Sequence, residues 1–217
     1  FMGDEAVAYA VKQCNVDVIA AYPITPQTII VERLSEYVAN GELDAAFIPV
    51  ESEHSAISAC VGASLAGARV YTSTCSQGLA LMHEILHAAS SMRAPIGMTI
   101  ANRSLNAPLN IHCEHGDVMS ARDTGWVHLF ANNVQQAYDL TFISFKVAED
   151  SRILLPVSVS IDAFVLSHSV EPITPITDED AEKYLPPREY EYPIDPDRPI
   201  TYGTMALPDT YMEFKLQ

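Results

Sequence analysis

The chain has 217 residues, 48% of them hydrophobic and 18% charged, which suits one well-buried domain plus a tail and excludes a disordered polymer. A formal net charge of −16 repels phosphate backbones and argues against nucleic-acid binding. Cys14, Cys60, Cys75 and Cys113 form no CxxC pair. They read as reduced, buried thiols, and they exclude an iron–sulfur cluster held by closely spaced cysteines of this chain. No leader pattern opens the chain and no apolar run nears the ~20 residues that span a bilayer, so a cytoplasmic protein with no membrane partner is expected.

Taken in order, Gly3–Cys14 is predicted helical, with Ala6, Ala10 and Cys14 at four-residue spacing. Val16–Ala21 is a buried strand ending at Tyr22-Pro23. Gln27–Ala39 is a helix stopped by Asn40-Gly41. Ala46–Val50 is a strand, and Ser52–Ala66 a small-residue helix closed by Gly67. Val70–Thr74, Pro95–Ala101 and Leu154–Ile161 are further strands. Gly78–Met92 and Gln135–Glu149 are helices, and residues 106–116 form a long loop. Continuous apolar strands separated by helices predict an α/β fold: a doubly wound, mainly parallel sheet with helices on both faces.

This domain is expected to span residues 1–169. From Val170 to Gln217 prolines crowd the chain, acids continue, and Tyr184, Tyr190, Tyr192, Tyr202 and Tyr211 are interspersed. Pro186-Pro187 and Pro193–Pro196 resist helix and interior strand. The segment reads as an acidic extended arm lying on a surface, or as a linker to a further domain.

Ligands of open parallel sheets bind beyond the carboxyl ends of the strands. Four polar turns occupy those positions: Tyr22-Pro23-Ile24-Thr25-Pro26, Glu51-Ser52-Glu53-His54, Ser73-Thr74-Cys75-Ser76-Gln77-Gly78 and Asn102-Arg103-Ser104. Each alone has a plain structural explanation, such as a cap or a rigid turn. All four converge on one edge. A competing pattern, His83-Glu84-Ile85-Leu86-His87, matches HExxH and would make a zinc hydrolase. Ser90 and Arg93 stand where an extended zinc motif needs Gly and His, so a packed helix with flanking histidines is favoured and no metal is expected in this chain. GxGxxG, Walker A and GxSxG patterns are absent.

Together with Gly116-Asp117-Val118-Met119-Ser120-Ala121-Arg122-Asp123-Thr124-Gly125-Trp126 and Leu207–Glu213, these turns resemble the pyrimidine-binding domain of the 2-oxoacid:ferredoxin oxidoreductases. The pattern is most similar to the alpha subunits of the archaeal-type pyruvate synthase group. The resemblance implies thiamine diphosphate, shared with a partner subunit that holds the diphosphate and Mg2+ through a Gly-Asp-Gly motif missing here. It places [4Fe-4S] clusters in other subunits and implies a hetero-oligomer, with dimerisation open. The implied reaction is reversible oxidation of pyruvate with coenzyme A to acetyl-CoA and CO2, reducing ferredoxin. A branched-chain 2-oxoacid such as 2-oxoisovalerate is the alternative substrate.

By position, the resemblance gives Glu53 the hydrogen bond to the pyrimidine ring nitrogen, which acidifies the exocyclic amine so that it serves as the base. Tyr22, Pro23, Ile24, Ser76, Gln77 and Gly78 would line the cofactor. Thr25 and Arg103 would hold the 2-oxoacid, the forked Arg103 cation meeting its carboxylate.

Overall fold

Alternating apolar strands and helices build a three-layer α/β/α domain in the computed structural model, which describes residues 1–216. The elements are α1 (Gly3–Gln13), β1 (Val18–Ala21), α2 (Thr28–Ala39), β2 (Ala46–Pro49), α3 (Glu53–Leu65), β3 (Val70–Thr74), α4 (Ser76–Leu81), α5 (His83–Ser91) and β4 (Gly97–Asn102). They continue with α6 (Gly116–Ser120), β5 (Val127–Phe130), α7 (Val134–Ala148), β6 (Val157–Asp162), α8 (Asp178–Tyr184) and α9 (Tyr211–Leu216). All six strands are parallel, in the order β2-β1-β3-β4-β6-β5. This is the expected doubly wound sheet. Because β2 and β3 flank β1 on opposite sides, the order reverses at β1, and a crevice opens beyond its carboxyl end.

Strand side chains alternate between two cores. Ile19, Tyr71, Val159 and Ile161 join α1, α2 and α7 on one face, with Val7, Leu34 and Phe145. Ala20, Val70, Met98 and Ile100 join α3, α4 and α5 on the other, with Ile57, Leu79 and Leu86. Each fully buried Leu, Ile or Phe contributes about 1.5–3 kcal/mol. Gly97 lets α7 approach β4 closely, since a Cβ there would lie 2.6 Å from the Phe145 ring. No helix among the described residues is long and apolar enough to cross a membrane.

Several boundaries differ from those read in the sequence. The helix expected over 78–92 starts at Ser76 and divides at Met82, whose N–H is shared between the carbonyls of Gly78 (3.1 Å) and Leu79 (3.2 Å). Strand β6 starts at Val157 because Pro156 has no N–H for the ladder and Leu154 takes a φ of 47°. Strand β5 is a four-residue, half-exposed edge strand, too short to leave an alternation signal.

After Val170, Thr177 caps α8 by accepting from the Asp180 amide at 3.1 Å. The prolines of 186–199 leave that stretch without helix or strand. It nevertheless lies on the domain. Arg69, 3% exposed, forms a bidentate pair with Glu149 (2.7 and 2.8 Å) and donates to the carbonyls of Cys14 (2.7 Å) and Pro186 (2.6 Å). The Gln13 amide donates to Asp178 at 2.7 Å, and the Ile194 amide to the Leu65 carbonyl at 2.8 Å. The Tyr190 and Tyr202 hydroxyls meet at 2.9 Å.

Candidate functional site

The first turn hangs on a buried amide. Gln27, with no exposed surface, donates to the Tyr22 carbonyl (3.0 Å) and accepts from the Ser73 hydroxyl of β3 (2.9 Å). That bridge fixes Tyr22, Pro23, Ile24 and Thr25 across the crevice from the β3 turn. Tyr22, Pro23 and Thr25 are exposed there, and Ile24 is half-buried. The Cys75 thiol donates to the Thr25 carbonyl at 3.1 Å and accepts from the Arg103 Nε at 3.3 Å, so Thr25 and Arg103 meet around one sulfur. Burial pushes the Cys75 thiol up to about 11, with Arg103 opposing and the charges of Asp117 and Glu53 adding to it. The thiol is therefore a neutral spacer.

Glu53 opens α3, whose cap is Ser52 accepting from the Ser55 amide at 3.3 Å. The short β2 strand delivers it to the same edge. Glu53 is 6% exposed, yet no group among the described residues hydrogen-bonds its carboxylate. It lies against α4, where Gly78 makes room: a Cβ on Gly78 would stand 2.4 Å from Thr74 Oγ1 and 2.6 Å from Glu53 Oε1. Thr74 Oγ1 is buried and also lacks a partner.

Arg103, 8% exposed, is a second buried charge with an open need. Its Nη2 donates to Gln77 Oε1 at 3.0 Å, but no carboxylate among the described residues pairs with its guanidinium. Asp117 holds the surrounding backbone instead. Its Oδ2 accepts from the amides of Ser76 (3.0 Å) and Arg103 (3.1 Å), and its Oδ1 from Asn102 Nδ2 (2.8 Å) and the Val118 amide (2.7 Å). Burial raises the Asp117 pKa, and those four donors oppose the rise. Ser76 sits at φ 46°, a left-handed conformation that a non-glycine residue adopts at a cost. Its hydroxyl donates to the Ser104 carbonyl at 2.5 Å, and Gln77 Nε2 donates to the Leu105 carbonyl, tying the β3 and β4 turns together.

Thus Thr25, Glu53, Ser76, Gln77, Gly78 and Arg103 share one edge, as their positions after successive strands imply. Gln27 and Asp117 escaped sequence reasoning as positioning groups. The signals available were a glutamine directly after Pro26 and an acid in the first turn of Gly116–Ser120. HExxH does not gather: His83 and His87 pack edge-to-face at 5.1 Å, and exposed Glu84 turns to His54 at 4.0 Å. No third ligand joins them among the described residues. Two cavities are lined by neither Glu53 nor Arg103: one lies under residues 185–189, and the other lies between α2 and β2 and is lined in part by Pro23.

A family model for pyruvate flavodoxin/ferredoxin oxidoreductases, described as thiamine diphosphate-binding, matches residues 9–217. Pyruvate synthase subunit PorA of Pyrococcus furiosus is 57% identical over 214 residues, covering 97% of this chain and 53% of that protein. Its namesake in Methanocaldococcus jannaschii is 53% identical over 216 residues, covering 99% and 56%. Ketoisovalerate oxidoreductase subunit VorA of Pyrococcus abyssi is 49% identical over 214 residues, covering 98% and 54%. The chain spans about half the length of the curated relatives it matches. A solved 2-oxoglutarate:ferredoxin oxidoreductase from Magnetococcus marinus, with 2-oxoglutarate, coenzyme A and succinyl-CoA bound, is similar at a TM-score of 0.67 and 25% identity. That match covers 74% of this chain and 28% of the other.

Proposed function

The chain belongs to the thiamine diphosphate-binding family of pyruvate flavodoxin/ferredoxin oxidoreductases, and from that premise we propose that it supplies the pyrimidine-binding and 2-oxoacid-binding half of a shared active site. The reaction is the oxidative decarboxylation of pyruvate with coenzyme A and ferredoxin, run in either direction. One observation carries this reading: Glu53 is buried at the carboxyl edge of the sheet with no partner for its carboxylate. The side chain is largely enclosed while its carboxylate oxygens stay reachable at the edge, so its open hydrogen-bonding positions suit a complementary group from outside the chain.

The residues fit the cofactor's aminopyrimidine end. The missing side chain at Gly78 is what lets Glu53 lie against α4 in the position from which its carboxyl would meet a ring nitrogen. Thr74 Oγ1 and Asn102 Oδ1 add buried, unpartnered polar atoms at this edge. When bound, thiamine diphosphate supplies the nucleophilic carbon for attack on the 2-oxo group and the sink for electrons left by CO2 departure. Glu53 holds the ring and keeps a proton at its nitrogen. Arg103 meets the substrate carboxylate with the Nη face that Gln77 leaves open, and Thr25 adds a hydroxyl at the mouth. Asp117 and Gln27 orient these groups through the backbone. These 217 residues hold no Gly-Asp-Gly motif and no closely spaced cysteines, which agrees with a partner subunit holding the diphosphate and Mg2+ and with iron–sulfur clusters carried elsewhere in the assembly.

Pyruvate is favoured over a branched-chain acid because, within Pyrococcus abyssi, the pyruvate synthase subunit is 56% identical and the ketoisovalerate oxidoreductase subunit 49%. Residues 1–169 form the cofactor domain in this reading, and residues 170–217 are the arm that leads on from it. The test is Glu53→Gln in the assembled enzyme, assayed for pyruvate-dependent ferredoxin reduction. Activity should fall at least ~100-fold with cofactor still bound. Full activity would remove Glu53 from the chemistry and with it the half-site.

A further inference from the structure

Beyond the proposed half-site, a second cluster stands at the carboxyl end of β6. The side chains of Cys113, His115 and Asp162 bring one ligand atom each to within 4.8 Å of one another. His115 Nε2 lies 2.8 Å from Asp162 Oδ1 and 3.6 Å from Cys113 Sγ. The same ring nitrogen therefore faces both partners.

That detail separates two chemistries. A Cys–His–Asp nucleophile relay needs the thiol on one ring nitrogen and the carboxylate on the other, so that the proton passes through the ring. Here thiol, imidazole and carboxylate point inward at one point, which is the arrangement of ligands around a cation. Cysteine sulfur, histidine nitrogen and aspartate oxygen form the mixed donor set of zinc and similar borderline-soft divalent ions. Tetrahedral ligands at zinc bond lengths stand about 3.3–3.8 Å apart. The Cys113–His115 separation of 3.6 Å already lies in that range, the 2.8 Å His115–Asp162 contact must open by about 0.5 Å as its proton is displaced, and Cys113 and Asp162 start within 4.8 Å of each other.

We propose that Cys113, His115 and Asp162 form a three-ligand site for Zn2+ or a similar divalent cation, with the fourth position open to water. The fold gives the site a second role. Asp162 is paired in register with Asn102, and Cys113 bridges Arg103 in an antiparallel contact one residue further on. A cation there ties the two ends of the 103–113 loop to the β6 end and fixes the backbone that carries Arg103. The His115 ring, packed edge-on against Phe130 at 5.8 Å, is already oriented for this.

The test uses the natural full-length protein in its assembled complex. The complex is stripped with chelator, dialysed against Zn2+, and compared with Cys113→Ser and His115→Gln complexes by metal content and zinc-edge X-ray absorption. Cys113 lies on a half-exposed loop, so serine there is expected to leave the fold intact, and the circular dichroism of both variants checks it. The expected result is one zinc more per copy of this chain than in either variant. That extra zinc carries a single Zn–S shell near 2.3 Å. Zinc content and sulfur shell unchanged in Cys113→Ser, or no zinc retained above the variants, would overturn the proposal.

Discussion

Gly78→Ala isolates the placement of Glu53. Gly78 is a buried residue of α4 with an ordinary helical backbone, so alanine brings no backbone strain and a slight gain in helix propensity. The added methyl, however, would stand 2.4 Å from Thr74 Oγ1, 2.6 Å from Glu53 Oε1 and 2.9 Å from Glu53 Cγ. Ordinary contact needs about 3.4 Å or more, so the carboxyl or the helix must retreat by roughly 1 Å. Absorbing such overpacking costs about 1–3 kcal/mol of stability. A displacement of that size at a reacting group costs about 100-fold in rate. The assay is kcat/KM for pyruvate-dependent ferredoxin reduction by the assembled enzyme, with thermal melting alongside. A variant that melts normally and keeps kcat/KM within about threefold of wild type would refute the placement of Glu53 against α4 as a catalytic constraint.

Arg103→Ala should raise KM for the 2-oxoacid by about 10–100-fold, the worth of a charge-assisted contact, while thiamine diphosphate affinity stays within about threefold. Equal losses for both ligands would contradict a substrate role. Asp117→Asn replaces an acceptor by an NH2 facing two N–H donors, and should cost about 2–4 kcal/mol in denaturant unfolding; an unchanged midpoint would count against Asp117 as the tie between turns. Asp4 has two buried, unpartnered oxygens, and burial, with Glu5 adding to it, holds its pKa well above the usual carboxylate range. Its contribution to stability is full below the unfolded pKa and is lost as pH rises through the folded one. Wild type should therefore lose stability relative to Asp4→Asn by up to about 1.4 kcal/mol per pH unit across that window. Parallel pH–stability curves would exclude it.

The central sheet was legible because Val16–Ala21 and Pro95–Ala101 are mostly apolar runs too long for turns and too short for helices, and Val70–Thr74 is a stretch mostly of β-branched and aromatic residues, which favour strand. The polar turns behind those strands were legible in consequence, since turns after successive parallel strands must share an edge. Glu53 and Arg103 were placed at that edge by that rule, and their proposed roles come from the family resemblance. Asp117 was not, because its role depends on two amides from distant turns meeting at one carboxylate. Strand β5 was missed because an edge strand of four residues, half-exposed, carries no period. The break at Met82 has no sequence mark, since neither Gly nor Pro lies there. Helix α8 hid in a proline-rich tail, though Thr177 followed by Asp178, Glu179 and Asp180 is a legible helix start.

The most direct measurement is hydrogen–deuterium exchange at the reactive thiazolium carbon of thiamine diphosphate, in assembled enzyme carrying wild-type chain or Glu53→Gln. With the cofactor bound in both, exchange should slow by about 100-fold to 10,000-fold in the variant if Glu53 is the carboxyl that keeps the pyrimidine nitrogen protonated, as proposed. Equal exchange rates with the cofactor bound would mean that Glu53 does not touch the ring, and that the buried edge of this sheet is not half of the active site.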